Sequence, residues 1–221
     1  MKSERDITQI LAFLRQLATH NERPWFQAHK AEYDALRAPW ERDMQRLIDL
    51  VGQFDDNVGT LPLKQCVYRI YRDVRFSRDK SPYKTYFSGV IGRGGRHTVR
   101  SSYYVHFQPD YLMLGGGIWW PERDVLARLR ALIDAEYNEF RDIISHPDIT
   151  SKYHWESNSL KAMPKGYSAD NPAAEFLKMK EYLLIMRPDD DYFRCDDWVE
   201  RVARDLRPLQ PLHRFLNYVF D

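Results

Sequence analysis

Apolar residues recur with a helical period at both ends of this chain and with a period of two in its middle. That change of period narrows the fold more than any other feature. Ile7, Ile10, Leu11, Leu14 and Leu17 share one helical face, with Asp6 and Gln9 forming a capping pattern. Pro24 is a favoured first-turn residue and predicts a second helix to about Leu36. Pro39 predicts the start of a third, with Trp40, Met44, Leu47, Ile48 and Val51 as its buried stripe. From Cys66 the alternation takes over. Residues 87–91, 103–107 and 111–114 read as strands. Gly92-Arg93-Gly94-Gly95 and Gln108-Pro109-Asp110 are connections suited to antiparallel neighbours.

Helical spacing returns after Pro121 and continues through Ile144, then again over 196–207 and 210–220. Between them lie an irregular stretch at 147–170, a short helix opened by Asn171-Pro172, and one more strand at 182–186. Helices, then strands, then helices is the α+β pattern. We expect a single domain over 1–221: a central, largely antiparallel β-sheet with helices packed on it, and helical N- and C-terminal segments.

The remaining composition mainly excludes. A net charge of +1 argues against a protein that coats nucleic acid over its whole surface. No stretch approaches a membrane span and no apolar signal core opens the chain, so no membrane partner is expected and the cytoplasm is the expected compartment. Cys66 and Cys195 lie far apart, which argues against a disulfide scaffold. There is no H-E-x-x-H, C-x-x-C or G-x-S-x-G, so neither a metal nor a cofactor is expected. Asp189-Asp190-Asp191 reads as a solvated acidic turn, and Cys66 as a buried small residue.

Charge is nevertheless uneven. Residues 69–84 hold Arg69, Arg72, Arg75, Arg78, Lys80 and Lys84 against only Asp73 and Asp79, while the rest of the chain is slightly acidic. Arginine forks and lysine ammonium groups match phosphate or carboxylate. Two carboxylates cannot neutralise six cations, so the segment predicts an anion pocket. Its expected ligand groups are Arg69, Arg72, Asp73, Arg75, Ser77, Asp79, Lys80, Ser81, Tyr83 and Lys84, with Tyr83 and Lys30 as proton-handling candidates. Asp73 is expected to hold two guanidinium groups, and Ser81-Pro82 to cap a helical turn facing the anion. The competing reading is an internal ionic network that pins a long loop. Lys30, at helical spacing from Phe26 and Tyr33, reads equally as a snorkelling lysine over core rings.

The string R-x-x-R-D-x-R-F-S-x-D-K-S-P-Y-K at 69–84 resembles the signature of an uncharacterised bacterial and fungal family catalogued as domain of unknown function 2461. Asn21, Trp25-Phe26, Lys30 and Tyr33 look like its amino-terminal motif. Gly115-Gly116-Gly117 with Pro121, and Pro164-x-Gly166-Tyr167, are similar to its later landmarks. His20 departs from the pattern, which often has Asn there. The resemblance implies a shared fold and a shared site, and brings no activity with it.

The leading expectation is a protein that binds an anionic small molecule, with an enzyme acting on a phosphorylated or nucleotide-like compound as one form of it. A nucleic-acid-binding module stacking bases on Tyr71, Phe76, Tyr83 and Tyr86 is the rival, not favoured because of the near-neutral charge. A non-catalytic protein-interaction domain is the third reading. The three glycines at 115–117 read as a bulge or close backbone approach, not a phosphate loop. At most one of Trp119 and Trp120 is expected to line a pocket, since neighbours on an extended strand face opposite ways.

Overall fold

The alternating segments pair into five strands, each antiparallel to its neighbours, in the order β1-β2-β3-β5-β4. The strands are β1 Phe87–Ile91, β2 Ser102–Phe107, β3 Met113–Ile118, β4 His154–Trp155 and β5 Tyr182–Met186. The helices are α1 Thr8–Thr19, α2 Arg23–Ala28, α3 Lys30–Gly52, α4 Leu63–Cys66, α5 Arg123–Ala135, α6 Tyr137–Ile144, α7 Pro147–Thr150, α8 Ala174–Leu177, α9 Trp198–Leu206 and α10 Gln210–Asn217. The computed structural model describes residues 7–221, so the expected cap at Asp6 lies outside the described residues. The α+β expectation holds: helices and an antiparallel sheet share one core.

One sheet face carries that core. Phe87, Tyr103, Phe107, Leu114, Ile118 and Leu184 point into it and share one buried cluster with Trp40 of α3 and Trp198 of α9. Trp40 packs on Phe87 with ring centroids 5.1 Å apart, and Phe107 meets Trp198 at 5.5 Å. Burying each such side chain contributes roughly 1.5–3 kcal/mol. Here the glycine triplet finds its reason. A Cβ on Gly116 would lie 2.5 Å from the imidazole of His213 on α10, and one on Gly117, whose φ is +142°, would lie 1.8 Å from the Tyr182 carbonyl oxygen. Close approach was the expectation at this triplet, and close approach is what β5 and α10 make.

The structure corrects several boundaries. The chain breaks at His29 (φ −105°, ψ 12°), and α3 then runs through Pro39 without interruption. Proline keeps a helical φ, and the missing N–H is offset by a buried stripe from Tyr33 to Val51. Cys66 closes a helical turn instead of opening a strand. β3 starts at Met113 and continues through all three glycines because β2 and β5 hold it from both sides. The irregular stretch contains α7 and the two-residue strand β4. Asn171 does not cap a helix: its side chain accepts from the Ala173 N–H at 2.8 Å to form a turn, and α8 starts later, at Ala174, with Ala173 as its N-cap.

Candidate anion-binding site

The charged segment is an excursion from a two-legged stem that extends the β1 edge of the sheet. Val67 bridges Gly89 and Tyr71 bridges Tyr83, both antiparallel. Between them Arg72 N–H donates to Pro82 O at 2.9 Å and Lys84 N–H to Ile70 O at 2.7 Å. Asn21, between α1 and α2, clamps this stem: its amide donates to Tyr83 O at 2.9 Å and its oxygen accepts from Tyr83 N–H at 3.1 Å. Phe26 stacks on the Tyr83 ring at 4.0 Å. The two segments that carried the resemblance thus hold one another.

Inside the excursion most charges are answered locally. Arg72 pairs with Asp79 and donates to Ser81 O at 3.1 Å and Ser77 Oγ at 3.4 Å. Asp79 also accepts from the Ser81 hydroxyl (2.6 Å) and Ser81 N–H (2.9 Å); those bonds first, and Arg72 after them, lower its pKa to about 2. Asp73 does not hold two guanidinium groups. It pairs only with Arg75 at 2.7 Å, in open solvent, because the loop turns Arg72 towards Asp79. Lys80 donates to Val74 O at 2.9 Å and Arg75 O at 3.5 Å. No helical turn follows Ser81-Pro82; the backbone returns directly into the stem. Tyr83 is 3% exposed and burial raises its pKa. Lys30 directs its ammonium to Asp34 on its own helix.

Lys84 is different. Its ammonium donates to Arg69 O at 3.1 Å and sits 4.8 Å from the Tyr68 ring centroid and 5.9 Å from that of Tyr86. Burial lowers its pKa, as do the neighbouring charges of Arg69, Arg96 and Arg37. Arg37 is answered by Glu41 at 2.7 Å. Arg96 donates only to carbonyls, Gln65 O at 3.1 Å and Lys64 O at 2.9 Å, with its guanidinium 5.6 Å from the same Tyr68 ring. Neither Lys84 nor Arg96 forms an ion pair with a carboxylate among the described residues, while Arg69 lies within electrostatic reach of Asp73. Arg96 and Tyr68 escaped the sequence reading; an arginine directly after the Gly92–Gly95 connection was the available signal for the first.

Two hollows flank this cluster. One, of about 590 Å³, is lined by Asn21, Arg72, Asp79, Ser81, Lys84 and Tyr86. The other, of about 390 Å³, lies on the sheet face away from the main helical core and takes in Tyr68, Tyr86, Arg96, Tyr104, Trp119 and Trp120. Both tryptophans line it, against expectation, because the chain leaves extended geometry at Trp120 (φ 45°). Tyr86, which rests on His106 at 4.5 Å, borders both hollows.

A family described as "Conserved hypothetical protein (DUF2461)" matches residues 9–215. The chain belongs to this family. No curated protein and no solved structure matches it. Among the described residues no group of three or more His, Cys, Asp or Glu is placed to hold a metal, and no helix is long and apolar enough to cross a membrane. Cys66 is buried, and burial raises its thiol pKa to about 11.

Proposed function

We propose that this protein binds a small molecule bearing a phosphate or carboxylate, held where Lys84 and Arg96 converge on Tyr68, with the charge of Arg69 near Lys84. One observation carries the reading: a half-buried ammonium crowded by guanidinium groups, with no carboxylate beside it. Like charges held together near apolar walls disfavour the free state and favour an incoming anion. The anion pocket expected from the charge pattern is thereby narrowed. Arg72, Asp79, Ser77 and Ser81 brace the loop, Asp73 and Arg75 form a solvated pair, and Lys84 and Arg69 remain for the ligand.

The nucleic-acid reading draws on a separate feature, the loop tip, where Phe76 is 96% exposed beside Arg75 and Arg78. Tyr83 is lost to that reading as a stacking ring, since it is buried under Phe26.

Orthophosphate titrated by calorimetry tests the proposal. We expect saturable binding, weakened tenfold or more in Lys84→Ala and in Arg96→Ala, with Arg75→Ala unaffected. At 100 times its dissociation constant the ligand stabilises the fold by about 2.7 kcal/mol. Binding that is absent, or equal in all three variants, sinks the reading. Tight, length-dependent binding of single-stranded oligonucleotides with a steep salt slope would move it to the loop tip.

A further inference from the structure

We infer that the hollow on the sheet face away from the main helical core is a ring subsite, so that the anion held at Lys84 and Arg96 belongs to a phosphate monoester of nucleotide size with a planar heteroaromatic ring. This rests on the anion reading above and adds the other end of the ligand.

The first support is the floor. On this face Tyr104 of β2 stands beside Gly115 of β3, which stands beside Ile185 of β5; in the next row Ser102, Gly117 and Leu183 are neighbours. Two glycines therefore leave the middle strand without side chains between a tyrosine and two aliphatic residues. Met113, Leu183 and Ile185, with Tyr104 against them, form a small apolar cluster separate from the main core. The recess is flat, and apolar on the β5 side.

The walls are aromatic. Trp119 meets Tyr104 edge-on with centroids 5.7 Å apart, and Trp120 meets Trp119 in the same way at 5.6 Å. Trp119 is 43% exposed and Trp120 76% exposed, so two of the largest apolar side chains in the molecule border an open hollow instead of filling the core. Trp120 has φ 45° and precedes Pro121, a left-handed conformation that costs a non-glycine residue energy. Such rings bind planar π-systems by stacking.

The third support is size and polarity. A hollow of about 390 Å³ falls in the range of small-molecule sites, not of peptide grooves. Its aromatic wall at Trp119 and the cations Arg96 and Arg100 line the same cavity, and the Tyr68 ring centroid lies 5.6 Å from Arg96 and 4.8 Å from Lys84. A ligand with one flat apolar end and one anionic end fits that polarity; inorganic phosphate occupies only half of it.

The test compares adenosine, guanosine, cytidine and uridine 5′-monophosphates with ribose 5-phosphate and orthophosphate. It uses the full chain, by calorimetry and tryptophan emission. At least one nucleotide should bind about tenfold or more tighter than ribose 5-phosphate, the size of one base–aromatic stack, and should change the emission. Trp119→Ala should erase that increment while orthophosphate binding stays, and Trp119→Phe should keep part of it. If nucleotides and ribose 5-phosphate bind alike, or Trp119→Ala leaves the increment intact, the ring subsite is overturned while the anion site stands. Failure of orthophosphate itself to bind would overturn both.

Discussion

Asp73 and Asp79 stand on the same loop and each takes one guanidinium, yet they should respond differently to loss of charge. Asp79 also accepts two bonds from Ser81, so it closes the turn as well as orienting Arg72. Asp73 holds only Arg75, in solvent, where ion pairs contribute little. Asp79→Asn should therefore speed amide exchange at Ser81 and lower the melting temperature, while Asp73→Asn matches the wild type. Equal effects in a thermal melt would refute this division. The pKa of Asp79 lies below its ordinary value, so its contribution is complete above about pH 4 and is lost as pH falls towards 2. Lys84 shifts the other way. Its native pKa lies below 10.5, so its charge opposes folding at neutral pH and that cost fades as pH rises. Phosphate affinity should accordingly begin to fall at a lower pH than ordinary lysine titration would give. Gly117 offers the sharpest steric test: Gly117→Ala should cost at least about 2 kcal/mol in chemical denaturation, because a Cβ there meets Tyr182 O at 1.8 Å and the φ is unfavourable.

At the scale of elements, Asn21 joins the α1–α2 connection to the stem of the charged loop. Asn21→Ala leaves both polar backbone groups of Tyr83 without their partner, and should destabilise by about 1–3 kcal/mol. It should also make the 72–81 excursion more sensitive to protease; an unchanged digestion rate would mean that Phe26 stacking alone holds the stem. Strands β1, β2 and β5 were legible because each alternates or runs apolar over at least five residues. β4 was not, since two residues carry no period and exist as a strand only through pairing with β5. The His29 break escaped for a similar reason: no proline or glycine marks it, whereas Pro39, which does announce a break, is absorbed by a long buried stripe. At the site, the excess of cations was legible as composition. Which cations keep no carboxylate was not, because Arg96 reaches Tyr68 only when the β1–β2 connection folds back on Gln65.

Across the whole molecule, helical cover lies on one face of the sheet and the candidate site towards the other, so stability and the proposed binding would draw on different surfaces. The helix-covered side holds a buried polar set: Ser101 Oγ lies 2.6 Å from His213 Nδ1, Tyr103 donates to Asp55 at 2.8 Å, and the Tyr103 and His213 rings meet at a tilt with centroids 4.0 Å apart. Burial keeps His213 neutral in the native state, lowering its pKa below 6.5 despite the opposing pull of Asp55. The unfolded chain then binds a proton that the folded one refuses, so stability should decline as pH falls below about 6.5. His213→Gln should flatten that decline in urea titrations between pH 7 and 5; an identical slope would assign it to other groups. The strand order has a further consequence during synthesis. β5 inserts between β3 and β4 although it is made last of the three, so a nascent chain carries β3 with an open edge on the order of ten seconds at ordinary translation rates. An open edge invites mispairing with other chains, and glycine is among the poorest residues for sustaining it. The triplet that later admits β5 and His213 should thus also make the unfinished chain's open edge a poorer template for aggregation.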